Sequence, residues 1–306
     1  LSRQYDNSVL QISRRRFIYG SVSALGFGSA LTTLLSCGSS NSPTSQALPD
    51  DLQLVQRFPQ VLVPGEVRLP ISLAQQSGII TTSSDFKFPE TLTAKIVDLS
   101  NDTVIIENIS VKLHGAEIAI PYYPFRTTIE KPGNYMLVVD DGPQDGAAFS
   151  VLERDQVLVP KVGDTLPGFD SPTFDNAQGV DPICTQTPEP CAFHKLTLTE
   201  AMQLKLPVAY LIGTPAHCST GTCAPALEQL TNVAKTVGRR ATFVHAEVYS
   251  DQAATVVAPA VKAFAMTFEP TLFIVDANSK VIDRLDAVFD AEEISEALSR
   301  AGVATS

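Results

Sequence analysis

The sequence of 306 residues has no tryptophan, few cysteines and a shortage of basic residues. Its five cysteines are too few for a small fold held together mainly by disulfides. The 22 Lys and Arg residues stand against 33 Asp and Glu, so the net charge is −11. A surface that binds nucleic acid needs a basic face, and this balance argues against nucleic acid as a partner. Phosphate-binding glycine loops, Gly-x-Ser-x-Gly and His-Glu-x-x-His are absent from the sequence as well.

Residues 1–36 differ in charge from the rest of the chain. They hold four Arg and one Asp, a local charge of +3, whereas the other 270 residues carry −14. The segment 13–18 (SRRRFI) resembles a twin-arginine export signal. The apolar stretch over 20–35 is shorter than the roughly 20 residues that span a bilayer. We therefore expect residues 1–36 to be a twin-arginine signal peptide.

The apolar stretch ends in LLSCG at 34–38, which resembles a bacterial lipobox. In that family a peptidase cuts before the Cys and the thiol is lipidated, so the resemblance implies a lipid anchor on Cys37. An ordinary secretory signal with a chance Cys stays the alternative. Residues 37–50 are rich in Ser, Pro and Asn and predict a flexible tether. We expect a lipoprotein at the extracytoplasmic face of the cell membrane, in a periplasm or at the cell surface.

The length of the chain predicts about two folded domains, and the first, residues 51–155, has the pattern of an all-β domain. Leu92, Ala94 and Ile96 alternate with the residues between them, as in a strand with one buried face. Pro and Gly separate the apolar segments, a spacing that favours a β-sandwich. The predicted strands cover 52–58, 67–73, 92–98, 104–113, 134–140 and 147–152.

The segment 131–139 (KPGNYMLVV) resembles the turn and strand of immunoglobulin-like domains. The resemblance implies a sandwich in which the Tyr135 hydroxyl bonds backbone at a corner. The domain has no Cys, which excludes an inter-sheet disulfide. We interpret His114, its only His, as a surface strand residue, and the domain as a spacer or interaction module.

Residues 156–306 follow a different pattern, in which strands and helices alternate. This order is typical of an α/β domain. The predicted strands cover 207–212, 241–248, 271–275 and 280–285. The predicted helices cover 225–237, 253–264 and 291–301, the last begun by Asp290 as N-cap.

Two cysteines lie in the loop between the first strand and the first helix of this domain. Cys223 is placed at the helix N-terminus, where unpaired N–H groups and the helix dipole lower the pKa of a thiol. Cys218 precedes it by five residues, a spacing that can bring two Cβ atoms to bonding distance. A bridge across so short a loop adds little stability. We therefore interpret the pair as redox-active, with Cys223 as nucleophile and Cys218 as resolving thiol.

The order of elements, followed by EPTL at 269–272 entering a strand, resembles the thioredoxin superfamily over about residues 160–303. The resemblance implies a thioredoxin-like fold and thiol-disulfide oxidoreductase activity. It also implies that Pro270 is the cis-proline that holds the substrate strand. TCAPA at 222–226 falls in register with the family's Trp-Cys-Gly-Pro-Cys, so Ala226 stands where the resolving Cys is expected.

Two further residues are candidate substrate contacts together with Pro270. Thr222 takes the place of the family's Trp, and Glu269 directly precedes the proline. A carboxylate there could select basic substrates, join a metal site or simply be solvated at a strand edge. The strand over 208–212 lacks the buried carboxylate with which thioredoxins relay protons.

Cys184 and Cys191 flank a loop with two prolines. We predict a structural disulfide between them, because no helix N-terminus follows at once to activate either thiol. The four cysteines after Cys37 still allow three pairings. Exchange of electrons between this pair and the Cys218–Cys223 pair is a further hypothesis.

No cofactor is expected, although copper is an alternative. Cys218, Cys223 and His217 would be its ligands, because two thiolates and an imidazole suit Cu(I) or Zn(II). His194, three residues after Cys191, adds to that alternative. His245 lies in the middle of a predicted strand and is expected in the core or on a sheet face.

The favoured function is membrane-anchored thiol-disulfide exchange with the thiols and disulfides of exported proteins. One alternative is a non-catalytic lipoprotein that uses a thioredoxin scaffold to bind a partner. The other is a copper-handling chaperone.

Overall fold

The computed structural model describes residues 48–49, 51–143 and 145–304. The predicted signal peptide, Cys37 and most of the predicted tether lie outside these residues. Among the helices that are described, none is both long and apolar enough to cross a membrane.

The first half of the described chain consists of two antiparallel sheets. Its strands are β1 (Gln53–Gln56), β2 (Gly65–Gln75), β3 (Gly78–Ile79), β4 (Thr91–Asp98), β5 (Thr103–Lys112), β6 (Tyr123–Ile129), β7 (Gly133–Val139) and β8 (Ala147–Val151). In one sheet β2 pairs with β1, β3 and β6, and in the other the order is β5-β4-β7-β8. Alternate apolar residues of both sheets meet in one core, among them Leu69, Ile71, Leu92 and Ile96. The Tyr135 hydroxyl donates to the carbonyl of Lys131 at 2.9 Å, while the immunoglobulin-like assignment itself stays a prediction.

The second half is an α/β arrangement around one mixed sheet. Its elements are α1 (Leu198–Gln203), β9 (Val208–Ile212), α2 (Cys223–Val237), β10 (Thr242–Ala246), α3 (Pro259–Ala263), β11 (Thr271–Val275), β12 (Val281–Asp286) and α4 (Ala291–Arg300). The sheet order is β10-β9-β11-β12, with β10 parallel and β11 antiparallel to β9. Helices α2 and α4 pack with the face of β9 that holds Ala209 and Leu211, and α1 and α3 with the opposite face. This layering is the α/β arrangement that the alternation of strands and helices in the sequence predicted.

The sequence did not predict α1 or β3, and α2 begins two residues before its predicted start. Two further differences lie at prolines. Strand β6 was not predicted, because Pro124 interrupts its apolar pattern. In the structure Pro124 lies opposite Pro70 of β2, and among the described strands β6 pairs with β2 alone. A proline is tolerated in such an edge strand because its missing N–H is not needed for pairing on the open side. The helix predicted over 253–264 is wrong at its start, since α3 begins at Pro259. Ala258 is extended, and a proline fits the first position of a helix because its missing N–H is not needed there.

A buried ion pair joins the two halves, which belong to one compact unit. Arg68 on β2 donates from Nε to Oε1 of Glu293 on α4 at 2.8 Å, and the Tyr122 hydroxyl donates to the other carboxylate oxygen at 2.7 Å. Burial lowers the pKa of Arg68, but the charge and hydrogen bonds of Glu293 more than offset this, so the net change is upward. Arg68 therefore stays charged, and its pairing keeps a buried cation from being left without a partner.

A second contact across the same boundary corrects the interpretation of His114. Its Nδ1 lies 3.0 Å from a carboxylate oxygen of Asp290, which also accepts the backbone N–H of Gly115 at 3.0 Å. Asp290 is at the same time the N-cap of α4, since its side chain accepts from the backbone N–H of Glu293. His114 is therefore a contact between the two halves rather than a surface strand residue.

We expect Arg68→Met to lower the free energy of unfolding by about 3–5 kcal/mol, because it leaves the buried Glu293 without its main partner. Urea denaturation followed by circular dichroism measures this value. Arg239→Met, at an exposed position, is the control and should change it by about 0.5 kcal/mol or less. Equal effects of the two substitutions would contradict a structural role for the pair.

Candidate functional site

The loop between β9 and α2 brings several chemically active side chains together. Strand β9 is buried along its whole length and is followed by Gly213, whose N–H donates to the carbonyl of Ala246 at 3.1 Å. A Cβ built at Gly213 would lie 3.3 Å from the Pro270 ring and 3.6 Å from the sulfur of Cys223. Glycine thus leaves room for Pro270 and Cys223 to approach the end of the strand.

The structure places Cys218 and Cys223 in direct contact. Their sulfurs are 2.7 Å apart, beyond the length of a disulfide bond of about 2.05 Å, and both are free thiols. Cys223 is 1% exposed, whereas Cys218 is only half-buried. An incoming sulfur can therefore approach Cys218 more readily than Cys223.

Hydrogen bonds favour the thiolate form of Cys218. The Cys223 thiol contributes most, and Thr220 and the backbone N–H of Cys223 add to it, so that the pKa of Cys218 falls to about 4 despite partial burial. The N–H of Cys223, at the start of α2, reaches the Cys218 sulfur at 3.3 Å. The pKa of Cys223 is raised by its hydrogen bond to Cys218, by burial and by the charge of Glu269. Exposure and acidity thus both favour Cys218 as the attacking thiol, whereas the sequence predicted Cys223.

Glu269 and Pro270 lie beside the pair, joined by a cis peptide bond. One carboxylate oxygen of Glu269 accepts from the N–H of Thr214 at 3.2 Å and lies 3.4 Å from the Cys223 sulfur. Burial, and then the negative charge of Cys218, raise the pKa of Glu269 to about 7. Glu269 therefore can accept a proton near neutral pH, in contact with the buried thiol.

Two other predicted site residues have different surroundings from those expected. Thr222, a predicted substrate contact, is buried, and its hydroxyl lies 2.7 Å from that of Thr220 and 3.9 Å from the Cys218 sulfur. His217, a predicted copper ligand, packs edge-on against Tyr249 with ring centroids 6.3 Å apart. The ligand-type group that the structure gathers with the two thiols is Glu269 and not His217.

A second cluster contains Cys184, Cys191, His194 and His245, all of them buried. Its ligand-type atoms all lie within 4.8 Å of one another. Both cysteines are free thiols, whereas the sequence predicted a disulfide between them. A hydrogen bond between the two thiols lowers the pKa of Cys184 and raises that of Cys191.

Only part of the signal for this cluster is visible in the sequence. Cys184, Cys191 and His194 lie close together in the chain, and their spacing is visible. His245 comes 51 positions after His194, and the strand pattern indicated only that it is buried. Its partners follow from the way the segment before α1 folds against β10.

No family model matches this sequence, and no curated protein matches it. Among solved structures, one from Chlorobium tepidum TLS, described as a thiol:disulfide interchange protein of the thioredoxin family, is similar. The TM-score is 0.33 and the identity 16%, over 46% of this chain and 98% of that chain.

We expect iodoacetamide to modify Cys218 of the reduced protein much faster than Cys223 near neutral pH. The rate should fall as the pH drops through about 4, because the reactive thiolate of Cys218 is then protonated. In Cys223→Ala, which removes the donor, the midpoint should move up toward the ordinary thiol value of about 8.5. Peptide mass spectrometry measures both rates.

Cys223→Ser is the matched control for this titration, since its hydroxyl keeps a donor and should cause a smaller shift. A wild-type midpoint near the ordinary thiol value would contradict the stabilised thiolate.

Proposed function

We propose that this chain is a thiol-disulfide exchange protein that uses Cys218 and Cys223 as its redox pair. The observation that carries the proposal is the 2.7 Å contact between a half-buried and a buried sulfur at the start of α2. A pair of thiols at this distance needs only a small movement to form a bond of about 2.05 Å. The partners are protein thiols and disulfides.

In the first step, the Cys218 thiolate attacks one sulfur of a substrate disulfide. A bond forms between Cys218 and that sulfur, the substrate's own S–S bond breaks, and the other substrate sulfur leaves as a thiolate that is protonated by water. The N–H of Cys223 and the hydroxyl of Thr220, at 3.3 and 3.2 Å, stabilise the attacking thiolate.

In the second step, the Cys223 thiol gives its proton to the Glu269 carboxylate and attacks the Cys218 sulfur. The Cys218–Cys223 bond forms and the mixed disulfide breaks, releasing the second substrate thiolate. The substrate disulfide has then gained two electrons, and the Cys218–Cys223 pair has lost two. A dithiol reductant returns the pair to its reduced state. The same steps in reverse would oxidise a substrate dithiol. Glu269 thereby has the proton-relay role of the buried carboxylate that thioredoxins have at this strand and that β9 lacks.

Pro270 is proposed to border the substrate strand, as the resemblance implies. Its ring lies beside the end of β9, close to Gly213, and the neighbouring Glu269 contacts the pair itself. This contact supports a role for Glu269 in proton transfer rather than in selecting basic substrates.

We also propose attachment to the extracytoplasmic face of the membrane through Cys37, on the strength of the sequence signals alone.

We expect Cys223→Ser to accumulate a mixed disulfide with a substrate protein, because the resolving thiol is absent while Cys218 still attacks. Cys218→Ser should form none. Both variants are incubated with insulin, a protein with accessible disulfides, and analysed by non-reducing electrophoresis and mass spectrometry. The opposite result, in which trapping requires Cys223 and not Cys218, would reverse the assigned roles; trapping by neither would favour a non-catalytic binding protein.

We expect Glu269→Gln to slow resolution of the mixed disulfide by about 10²-fold, in the range typical of a lost general base. In the wild type this rate should rise with pH and level off at a pH somewhat below 7, because Glu269 has a pKa of about 7 beside the Cys218 thiolate and that negative charge is absent in the mixed disulfide. Stopped-flow thiol release at several pH values measures it. Glu292→Gln, exposed on α4, is the control, and an unchanged pH profile in Glu269→Gln would remove Glu269 from the proton transfer.

A further inference from the structure

The buried cluster of Cys184, Cys191, His194 and His245 has the composition of a metal site. The four residues are between 0% and 6% exposed, so each thiol and imidazole has been removed from water. Buried polar groups need partners, and here the nearest polar groups are largely one another. A set of two sulfurs and two nitrogens gathered in this way indicates zinc.

Three distances measured from His245 Nδ1 lie close to those around one tetrahedral ion, with the shortest about 0.2 Å below the expected range. His245 Nδ1 lies 3.1 Å from His194 Nε2, 3.4 Å from the Cys191 sulfur and 3.8 Å from the Cys184 sulfur. Zinc bonds of about 2.3 Å to sulfur and about 2.0–2.1 Å to nitrogen, at tetrahedral angles, separate such atoms by about 3.3–3.8 Å. A two-iron cluster would instead hold its His pair and Cys pair on different irons, farther apart than these contacts.

Two outer contacts of the cluster, at His245 and Cys184, are of the kind that orients metal ligands, whereas the buried Nδ1 of His194 has no hydrogen-bond partner among the described residues. His245 Nε2 lies 2.9 Å from the carbonyl oxygen of Gly213. A carbonyl only accepts, so Nε2 carries the proton and the lone pair of Nδ1 faces the cluster. The Cys184 sulfur accepts the backbone N–H of Cys191 at 3.5 Å, which supports a thiolate there.

Three of the four ligands belong to a segment that has little regular structure of its own. From residue 167 to residue 197 the described chain contains no strand and only a short 3-10 helix at Ala192–His194. A segment of this length without secondary structure is uncommon inside a compact domain, and such segments are usually functional or disordered. His245, on β10, belongs to the regular sheet.

We propose that Cys184, Cys191, His194 and His245 bind a structural Zn²⁺ ion that fastens the segment 167–197 to β10. All four positions of the ion are filled by protein and all are buried, which is the arrangement of a structural rather than a catalytic zinc site. Binding releases the protons of the two thiols and involves no change of oxidation state. The proposal does not depend on redox activity of Cys218 and Cys223.

The first test is the metal content and thiol state of the full chain, purified without added metal or reductant. We expect one zinc per chain by inductively coupled plasma mass spectrometry, and alkylation of both Cys184 and Cys191 after denaturation. A Cys184–Cys191 disulfide, copper in place of zinc, or no zinc even after incubation of the reduced protein with ZnCl₂ would each overturn the proposal.

Matched variants locate the ion. Cys184→Ser and His194→Gln should lose the bound zinc, while Cys218→Ser and His217→Gln should keep it. Loss of zinc only in the second pair would place the metal at the other cluster and overturn the assignment.

A ligand variant can fail to fold, so Co²⁺ is also exchanged into the wild-type protein. The absorption spectrum should then show tetrahedral ligand-field bands and thiolate charge-transfer bands. An octahedral spectrum would contradict the site.

Removal of zinc tests its structural role. We expect a chelator to lower the thermal midpoint of the wild-type protein and to speed hydrogen exchange in 167–197, and ZnCl₂ to restore both. Exchange that is unchanged in this segment after zinc has left would overturn the role proposed for the ion. Insulin trapping by Cys223→Ser is scored separately, so failure of the zinc site and failure of the redox function give different results.

Discussion

The hydrogen bond between His245 Nε2 and the carbonyl of Gly213 links the cluster of Cys184 and Cys191 to the loop that holds Cys218 and Cys223. It turns the other nitrogen of His245 toward Cys184 and Cys191. The same glycine follows β9 and leaves space beside Cys223. One backbone position therefore both orients the imidazole and begins the loop between β9 and α2. A second link is Thr185, next to Cys184, whose hydroxyl accepts the N–H of Ala216 in that loop at 3.1 Å.

The ion pair between Arg68 and Glu293 is connected to the loop that holds Cys218 and Cys223 through helices α4 and α2. Glu293, which pairs with Arg68, lies in the first turn of α4, where a carboxylate is favoured by the helix dipole. The backbone N–H of Ala291 in that turn donates to the side chain of Gln229 in α2 at 3.2 Å. Helix α2 in turn begins at Cys223. The β half thus helps to fix the position of the helix whose first N–H stabilises the Cys218 thiolate.

Local sequence patterns predicted those parts of this arrangement that depend on neighbours in the chain. The period of two along β4 and the apolar face of α2 are set by which side chains must leave water. The short loop was enough to predict that Cys218 and Cys223 approach each other. Which of the two is acidic depends on which sulfur accepts hydrogen bonds from the other thiol, from Thr220 and from the N–H of Cys223, and this requires the fold of the loop. The same is true of His245, since periodicity indicates burial but not the groups that a buried ring contacts.

The two cysteine pairs carry the same functional group, yet their surroundings favour opposite chemistry. Thiol-disulfide exchange needs a thiolate that an incoming disulfide can approach, and Cys218 meets this condition because hydroxyl and backbone donors stabilise it at a half-buried position. Cys184 and Cys191 are enclosed, and His245 Nδ1 lies 3.8 and 3.4 Å from their sulfurs, where a neutral imidazole nitrogen can bind a metal ion together with them. Metal binding would also protect these thiols from oxidation, because their lone pairs would be shared with the ion. One chain can in this way keep a reactive pair and an inert pair on either side of a single glycine.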